Sequence, residues 1–183
     1  MREEMILKNK NGKIYRGFIK KLEINDIEDI LEFQSKIIKG IDDKCIYCET
    51  KRVEFENYFK NKDTLIGVFT DENILIAMGV YARYGESEDN YGFDLGIRGK
   101  ELLKVGQIDS VAVLEEFRGN SLQKIICNKL EEISKSEGYH ILCTTISPNN
   151  PYSIRTFEGL GYSIIKEKEK YGGMIRYILM KKL

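Results

Sequence analysis

The stretch of chain in which a strand runs through a polar loop into a helix places the tightest limit on the fold. Val105–Leu114 alternates in polarity and is rich in Val and Ile, which is typical of a strand. The polar loop Glu115–Gly119 follows without a proline, and apolar residues at helical spacing then predict a helix over Ser121–Ser136. Because Tyr139–Ile146 is a further apolar strand, this helix is predicted to cross over between two strands of one sheet.

The rest of the chain adds five strands and three helices to this unit. Asn25 and Asp26 are candidate N-caps of the first helix, and Asn150 is the predicted N-cap of the last one. The segment 84–104 breaks the pattern and is predicted to be a long surface excursion. The predicted helices are Ile27–Ile38, Thr50–Tyr58 and one that Asn150-Pro151 opens and Gly159 or Gly161 ends; the predicted strands are Ile14–Leu22, Thr64–Phe69, Ile74–Arg83, Tyr162–Lys168 and Ile175–Lys181.

This order of elements predicts an α/β (α+β) sheet that is partly antiparallel and partly parallel. A chain of 183 residues with 42% apolar residues can form one core, and no linker, repeat or low-complexity tract divides it. We therefore expect a single domain over residues 1–183.

The charge and the cysteines exclude several classes of protein. Basic and acidic residues both number 29, which argues against a nucleic-acid partner. Apolar runs fall short of the roughly 20 residues of a membrane span, and the charged start of the chain is unlike a signal peptide, so a cytoplasmic protein is expected. Cys45 and Cys48 form a CxxC pair, but the other cysteines and His140 lie at no recognisable ligand spacing. We predict reduced cysteines and no metal.

The loop that leads into the helix at Ser121 is suited to an anion. Backbone N–H groups at a helix start and the positive end of the helix dipole can hold a pyrophosphate, and Arg118 adds charge. An ordinary connection that carries a surface arginine would have the same pattern, so this loop alone leaves both interpretations open.

The same loop resembles a motif of the GNAT acetyltransferases. That family carries R/Q-x-x-G-x-G/A between a strand and a helix, and this chain has Arg-Gly-Asn-Ser-Leu-Gln from Arg118 onward. Arg118 fits the first position, whereas Ser121 stands where the family prefers Gly and Gln123 where it prefers Gly or Ala. Because glycine lets the backbone approach phosphate closely, Ser121 is a departure that bears on cofactor binding.

A second segment, Ser147–Ile165, resembles the family pattern N-x-x-[AS]-x-x-x-[YF]-E-x-x-G-[FY]. It lies about 30 residues after the loop, as the family requires, and the closing hairpin around Tyr171-Gly172-Gly173 is also similar, so the resemblance covers about Lys13 to Leu183. The positions in register are Asn150, Ser153, Phe157, Glu158, Gly161 and Tyr162.

The resemblance implies the GNAT fold, with a mixed sheet of about six or seven strands and about four helices. It also implies a splayed cleft for acetyl-CoA between the fourth strand, Val105–Leu114, and the fifth, Tyr139–Ile146. No metal is implied, and either a monomer or a homodimer would fit. The residues implied to bind the cofactor are Val111, Ala112 and Val113 on the strand, Arg118, Gly119, Asn120, Ser121, Leu122, Gln123 and Lys124 in the loop and helix start, and Asn150, Ser153 and Phe157.

Direct attack by an amine needs a proton acceptor and a donor for the leaving thiolate. Alternation along the fourth strand places Gln107, Asp109, Val111 and Val113 on one face, where Asp109 is the ionisable group and the candidate base. A structural aspartate is the alternative. Phe157 replaces the tyrosine of many relatives and cannot donate a proton. Water or Tyr152 is then the candidate donor, unless the thiolate leaves unaided or Tyr152 is a surface residue.

We expect an N-acetyltransferase that moves an acetyl group from acetyl-CoA to a primary amine. A non-catalytic acyl-CoA-binding sensor or interaction module is the alternative. The acceptor amine stays open, since fold does not fix substrate. Tyr81, Tyr84, Tyr91 and Phe93 are either core residues or the lining of an acceptor pocket.

Overall fold

The computed structural model describes residues 3–183, which form one eight-stranded sheet with four α-helices. The strand order is β1-β2-β3-β4-β5-β6-β8-β7, and every neighbouring pair is antiparallel except the parallel pair β5–β6. The predicted mixed α/β sheet is therefore confirmed. The strands are β1 Glu3–Lys8, β2 Ile14–Lys21, β3 Thr64–Thr70, β4 Leu75–Ala82, β5 Val105–Val113, β6 Ile141–Ile146, β7 Ser163–Lys170 and β8 Met174–Lys182.

The four helices match the predicted ones within a few residues. They are α1 Ile27–Lys39, α2 Arg52–Lys60, α3 Leu122–Ser136 and α4 Pro151–Gly159. Helix α2 begins two residues later than predicted because Glu54 accepts a hydrogen bond from the N–H of Lys51 and so caps the helix there. Within residues 3–183, no helix has both the length and the apolar character that a membrane span requires.

Strand β1 was not predicted, because it is an edge strand with a charged sequence. It buries Leu7, which packs against Gly17 of β2, but leaves Ile6 79% exposed. The turn to β2 contains Asn11-Gly12, a dipeptide that favours tight hairpins and that could have indicated this strand. Met1 and Arg2, which the predicted domain includes, lie outside the described residues.

The main core lies where the helices pack on the central strands. Every residue of β3 and β4 is buried, and α3 packs on β4 and β5. Ile126 and Leu130 are fully buried on α3, while Ile30 and Phe33 are buried on α1. The central strands are therefore held rigidly, which fixes the position of β5 and of the residues that it carries.

Strands β5 and β6 separate partway along their length. Strand β5 pairs with β6 only over Val105–Gln107, whose partners in β6 are Ile141–Cys143. Beyond that point β5 continues beside β4, whereas β6 continues beside β8 as far as Ile146. The predicted splayed cleft between these two strands is present.

Candidate active site

A cavity of about 1440 Å³ opens where β5 and β6 separate. Ligand pockets in proteins commonly measure about 300 to 1,000 Å³, so this one has room for two bound molecules side by side. Its wall is formed by β5, β6, the loop before α3, the start of α4, the α1–α2 loop and part of the segment 84–104. The two sequence motifs around Arg118 and Asn150 thus meet at one cavity.

A bulge in β5 interrupts the alternation that the sequence predicts. The pairing with β4 shifts between Met78 and Val80, and Ser110 has a φ of 48°. As a result, Asp109 contacts Tyr58 of α2, whereas Val111 lies beside Gly79 under α3. The prediction that Asp109 and Val111 share a face is therefore wrong, because the extra residue of the bulge reverses the direction of the side chains that follow it.

Asp109 is half-buried in the cavity wall and accepts hydrogen bonds from two phenols. The Tyr84 hydroxyl donates to its Oδ2 at 3.1 Å and that of Tyr58 at 3.4 Å. Burial raises the pKa of Asp109 to about 6, although the two hydrogen bonds act in the opposite direction. A carboxylate with this pKa is ionised at neutral pH and still basic enough to take up a proton.

The α1–α2 loop is held over the cavity by a buried amide. Gln34 of α1 donates to the carbonyl of Thr50 at 2.8 Å and accepts from its N–H at 2.9 Å. Tyr47 donates to the same amide oxygen, and the Thr50 hydroxyl pairs with that of Ser110 at the bulge. Since these bonds connect the loop to β5, the wall facing Asp109 is fixed in place.

The loop before α3 has the geometry of an anion site. Gly119 and Ser121 have φ angles of 90° and 57°, so the chain turns sharply before the first helical residue, Leu122. The first N–H groups of a helix have no partner within that helix, and here the residues that carry them line the cavity. Arg118 lines the same cavity and is exposed, so its charge is available to a bound anion.

The side chain of Asn120 forms hydrogen bonds that hold the loop before α3 in place. Its Nδ2 donates to the carbonyls of Lys8 and Phe117, each at 2.8 Å, and its Oδ1 accepts from the N–H of Lys8 at 2.9 Å. These bonds fasten the loop to β1. The sequence could not indicate them, since the partner strand was not predicted.

Three polar side chains connect the starts of α3 and α4. Gln123 donates from Nε2 to the hydroxyl oxygen of Ser153 at 2.9 Å, and the N–H of Ser153 donates to Oδ1 of Asn150 at 3.1 Å. Asn150 is thus the predicted N-cap of α4. Gln123 stands where the family motif has Gly or Ala. Its hydrogen bond to Ser153 links the loop motif at Arg118 to the motif at Asn150.

The two aromatic residues predicted on α4 differ in their surroundings. Phe157 is 2% exposed and packs edge-to-face on Tyr162 at 5.0 Å between ring centroids. Tyr152 also lines the cavity but is 79% exposed. Among the aromatic residues noted before α3, Tyr84 and Tyr91 line the cavity, and Tyr81 is fully buried against Tyr139. Tyr58 and Tyr171 line it as well. Neither was a predicted site residue, although Tyr171 belongs to the closing hairpin that resembles the family.

The four cysteines form no disulfide bond within residues 3–183. Cys127 and Cys143 are buried on α3 and β6, where they pack as small apolar residues, whereas Cys45 and Cys48 lie in the α1–α2 loop. Across residues 3–183, no group of three or more His, Cys, Asp or Glu side chains could hold a metal ion.

Comparison with solved structures places this fold among acetyltransferases. A ribosomal-protein-alanine N-acetyltransferase from Brucella melitensis superposes with a TM-score of 0.67 at 18% identity, over 90% of this chain and 99% of that one. A phosphinothricin acetyltransferase from Sinorhizobium meliloti, in complex with acetyl-CoA, gives 0.68 at 14% identity over 91% and 88%. An N-acetyltransferase from Staphylococcus aureus gives 0.67 at 14% over 91% and 97%. At these identities the similarity shows a shared fold.

The family itself is shown by the sequence. No curated protein matches the chain. The model of the acetyltransferase (GNAT) family, however, matches residues 29–162, which is more than half of the chain and includes both motifs and the bulged strand. The chain therefore belongs to the acetyltransferase (GNAT) family.

Proposed function

We propose that this protein is an N-acetyltransferase that transfers the acetyl group of acetyl-CoA to a primary amine by direct attack in a ternary complex. The observation that carries the proposal is the position of Asp109. Its carboxylate, with a pKa of about 6, lies just beyond Gln107, the last residue of β5 that pairs with β6. A base is therefore present where a bound thioester would meet an amine.

The residues around the gap fit acetyl-CoA. On the side facing β6, the backbone of Val111, Ala112 and Val113 has no strand partner within residues 3–183, so it can pair with the pantetheine arm. The N–H groups from Arg118 to Lys124 would hold the pyrophosphate, and Asn150, Ser153 and Phe157 would flank the arm from α4. The cofactor supplies the activated thioester.

The charges that line the cavity divide between two kinds of ligand. The cations on the α3 and α4 side, Arg118, Lys124 and Arg155, suit phosphates. Acids are in excess on the other side of the cavity, where two further cations, Lys170 and Arg176, also line the wall but are engaged by Asp94 and by the carbonyl of Cys45. These acids, which suit an ammonium group, are Asp42, Asp43, Glu49, Glu54, Glu88, Asp89 and Asp109. This excess of acids supports an acceptor that arrives as a cation.

Asp109 would take the proton that the acceptor must lose to become a nucleophile. The Tyr58 and Tyr84 hydroxyls, which donate to Asp109, orient its carboxylate and keep it ionised before the amine arrives. The neutral amine then attacks the thioester carbonyl, and the C–S bond breaks with its electron pair on sulfur. The leaving thiolate needs a proton that Phe157 cannot give.

A non-catalytic acyl-CoA-binding module is the second candidate. Phe157 lacks the hydroxyl of many relatives, and Ser121 adopts a φ of 57° at a conformational cost that glycine would avoid. Both features are compatible with a protein that binds the cofactor without turnover.

Titration calorimetry with acetyl-CoA, followed by an assay for free thiol over a panel of primary amines, separates the two candidates. We expect saturable binding and thiol release with at least one amine. Binding without release from any amine would favour the non-catalytic module, and no binding would contradict both.

Replacing Gly119 by Ala is expected to raise the Kd for acetyl-CoA about tenfold. A φ of 90° is strained for any residue with a Cβ, at a cost of about 1 to 3 kcal/mol, while the added methyl would meet no atom within 4 Å. The loop would relax and move its N–H groups away from the pyrophosphate.

Gly138→Ala is the matched control, because Gly138 has a φ of 77° at the opposite end of α3. It should lower the melting temperature without changing the Kd measured by calorimetry. Equal affinities for the Gly119 variant and the wild type would exclude the loop from the cofactor site.

A further inference from the structure

The proposed reaction leaves the protonation of the CoA thiolate unexplained. Phe157 has no hydroxyl, and Tyr152, although it lines the cavity, has 79% of its surface exposed. Unless water is the donor, a donor is needed on the wall of the gap, close to where the pantetheine sulfur would lie beside β5 and β6.

Tyr171 meets this requirement. It lies in the turn between β7 and β8, lines the cavity, and its hydroxyl pairs with that of Thr145 at 2.8 Å. Thr145 is two residues past Cys143, the last residue of β6 that pairs with β5. The phenol is therefore held at the β6 wall of the gap.

A second phenol fixes Tyr171 in this position. The hydroxyl of Tyr91 forms a hydrogen bond with that of Tyr171, and the Tyr91 ring is 6% exposed. The N–H of Tyr91 donates to Oε1 of Gln107 at 2.5 Å, which connects the pair to β5 at the point where the strands separate. Two walls of the gap are thus joined through one pair of phenols.

The backbone of Tyr171 is fixed by the turn between β7 and β8. Its φ is 52°, and Gly172 and Gly173 continue the turn with φ angles of 73° and 111°. A non-glycine residue in this region costs about 1 to 3 kcal/mol. The contacts to Thr145 and Tyr91 hold the residue there.

We propose that Tyr171 is the general acid that protonates the CoA thiolate, acting from the β6 wall while Asp109 acts from β5. This inference rests on the proposed function. Asp109 releases the first proton of the ammonium group to water at the open side of the cavity. As the amine nitrogen bonds to the carbonyl carbon, Asp109 takes up the excess proton of that nitrogen and later releases it to water as well. The C–S bond breaks, sulfur takes the proton of the Tyr171 hydroxyl, and the phenolate regains a proton from water at the open side of the cavity.

The electrostatic surroundings keep the phenol in its protonated form. Tyr171 is 42% exposed, but partial burial of its hydroxyl raises the pKa of Tyr171, and the nearby Asp109 raises it further. The phenol is therefore fully protonated at neutral pH and remains available as a donor. Thr145 and Tyr91, which act on the reaction only through this hydroxyl, are positioning residues.

The pKa of the thiol of bound CoA tests the proposal without any acceptor. A hydroxyl that donates to the thiolate stabilises it, so Tyr171→Phe should raise the pKa of the bound thiol by about one unit, a tenfold change in its ionisation constant. The measurement is the ultraviolet absorbance of the thiolate during a pH titration of the CoA complex. In turnover assays the same variant should lower kcat at least tenfold with an unchanged KM for acetyl-CoA.

Tyr152→Phe is the matched control, since it also removes one phenolic hydroxyl from the cavity wall, and it should leave the thiol pKa unchanged. Tyr91→Phe should give a smaller rise than Tyr171→Phe. Equal thiol pKa values in the wild-type and Tyr171→Phe complexes would overturn the role of Tyr171, as would a rise confined to Tyr152→Phe. Failure of the wild type to bind CoA would be a different result, because it would overturn the proposed function and this inference with it.

Discussion

Replacing Asp109 by Asn is expected to lower the turnover number about a hundredfold or more while leaving the Kd for acetyl-CoA nearly unchanged. General-base catalysis contributes about 10² to 10⁴ in rate, and an amide of the same shape cannot accept the proton. An asparagine side chain can still receive the hydrogen bonds of Tyr58 and Tyr84, so the cavity wall should keep its structure. Steady-state kinetics and calorimetry on the same preparation measure the two quantities.

The pH dependence identifies the group that is lost. Because the pKa of Asp109 is about 6, kcat/KM of the wild type should rise with pH to a plateau above that value. The Asp109→Asn variant should lack this rise. A residual activity that keeps the wild-type pH profile would show that another group is the base.

The same substitution should stabilise the fold at neutral pH. The pKa of Asp109 is 3.8 in the unfolded chain and about 6 in the folded one, so between these values the folded state binds more protons than the unfolded state. The free energy of unfolding therefore falls as pH rises through this window, by at most about 3 kcal/mol. The Asp109→Asn variant has no carboxylate to titrate and escapes this loss, so its melting temperature should exceed that of the wild type at pH 8 and differ less at pH 4.

Asp71→Asn is the control for the loss of turnover. Asp71 is an exposed acid in the turn between β3 and β4 and does not line the cavity. Its replacement should leave turnover unchanged. A melting temperature for the Asp109 variant below that of the wild type at pH 8 would show that the carboxylate stabilises the fold after all.

Local patterns predicted most of the fold. The alternation of Val105–Leu114, the capped helix at Asn150 and the spacing between the two motifs are properties of neighbouring residues, and they placed β5, α3, β6 and α4 correctly. The two motifs that these patterns identified, around Arg118 and Asn150, line one cavity. Alternation failed at Ser110, because a bulge depends on how β4 packs against β5 and leaves no mark in the sequence of β5 alone.

The roles that the sequence did not indicate depend on contacts between distant parts of the chain. Tyr171 meets Tyr91 across 80 positions, and Asn120, which the resemblance implied as a cofactor residue, meets Lys8 across 112. Tyrosine is common in cores and at surfaces, so neither Tyr91 nor Tyr171 had a local pattern that distinguishes a proton donor. Only the arrangement of the hairpin β7–β8 over the segment 84–104 shows that the two phenols face one gap.

Replacing Gly79 by Ala is expected to cost about 2 kcal/mol of unfolding free energy and to weaken acetyl-CoA binding about tenfold. Gly79 lies in β4 opposite the bulge, where an added Cβ would be 2.5 Å from Cγ2 of Ile126 and 3.2 Å from Cγ2 of Val111. Ile126 is fully buried, and its branched Cγ2 cannot swing aside, so α3 or β5 must move. Both carry residues proposed to bind the cofactor. Urea unfolding and calorimetry measure the two losses.

A double-mutant cycle with Ile126→Ala shows whether this clash is the cause. Ile126→Ala alone should cost about 2 to 5 kcal/mol by leaving a cavity under α3. The methyl group introduced by Gly79→Ala can enter that cavity, although Val111 and Leu130 still lie 3.2 and 3.3 Å from it. Adding this substitution to the Ile126→Ala background should therefore cost less than in the wild type, with a coupling free energy of about 1 to 2 kcal/mol. Gly159→Ala at the end of α4, where no atom lies within 4 Å of an added Cβ, should stabilise the fold by up to about 1 kcal/mol, and by the same amount in both backgrounds. If the losses of unfolding free energy caused by Gly79→Ala and Ile126→Ala were additive, glycine would be required at position 79 by the backbone of the bulge and not by the close approach of α3.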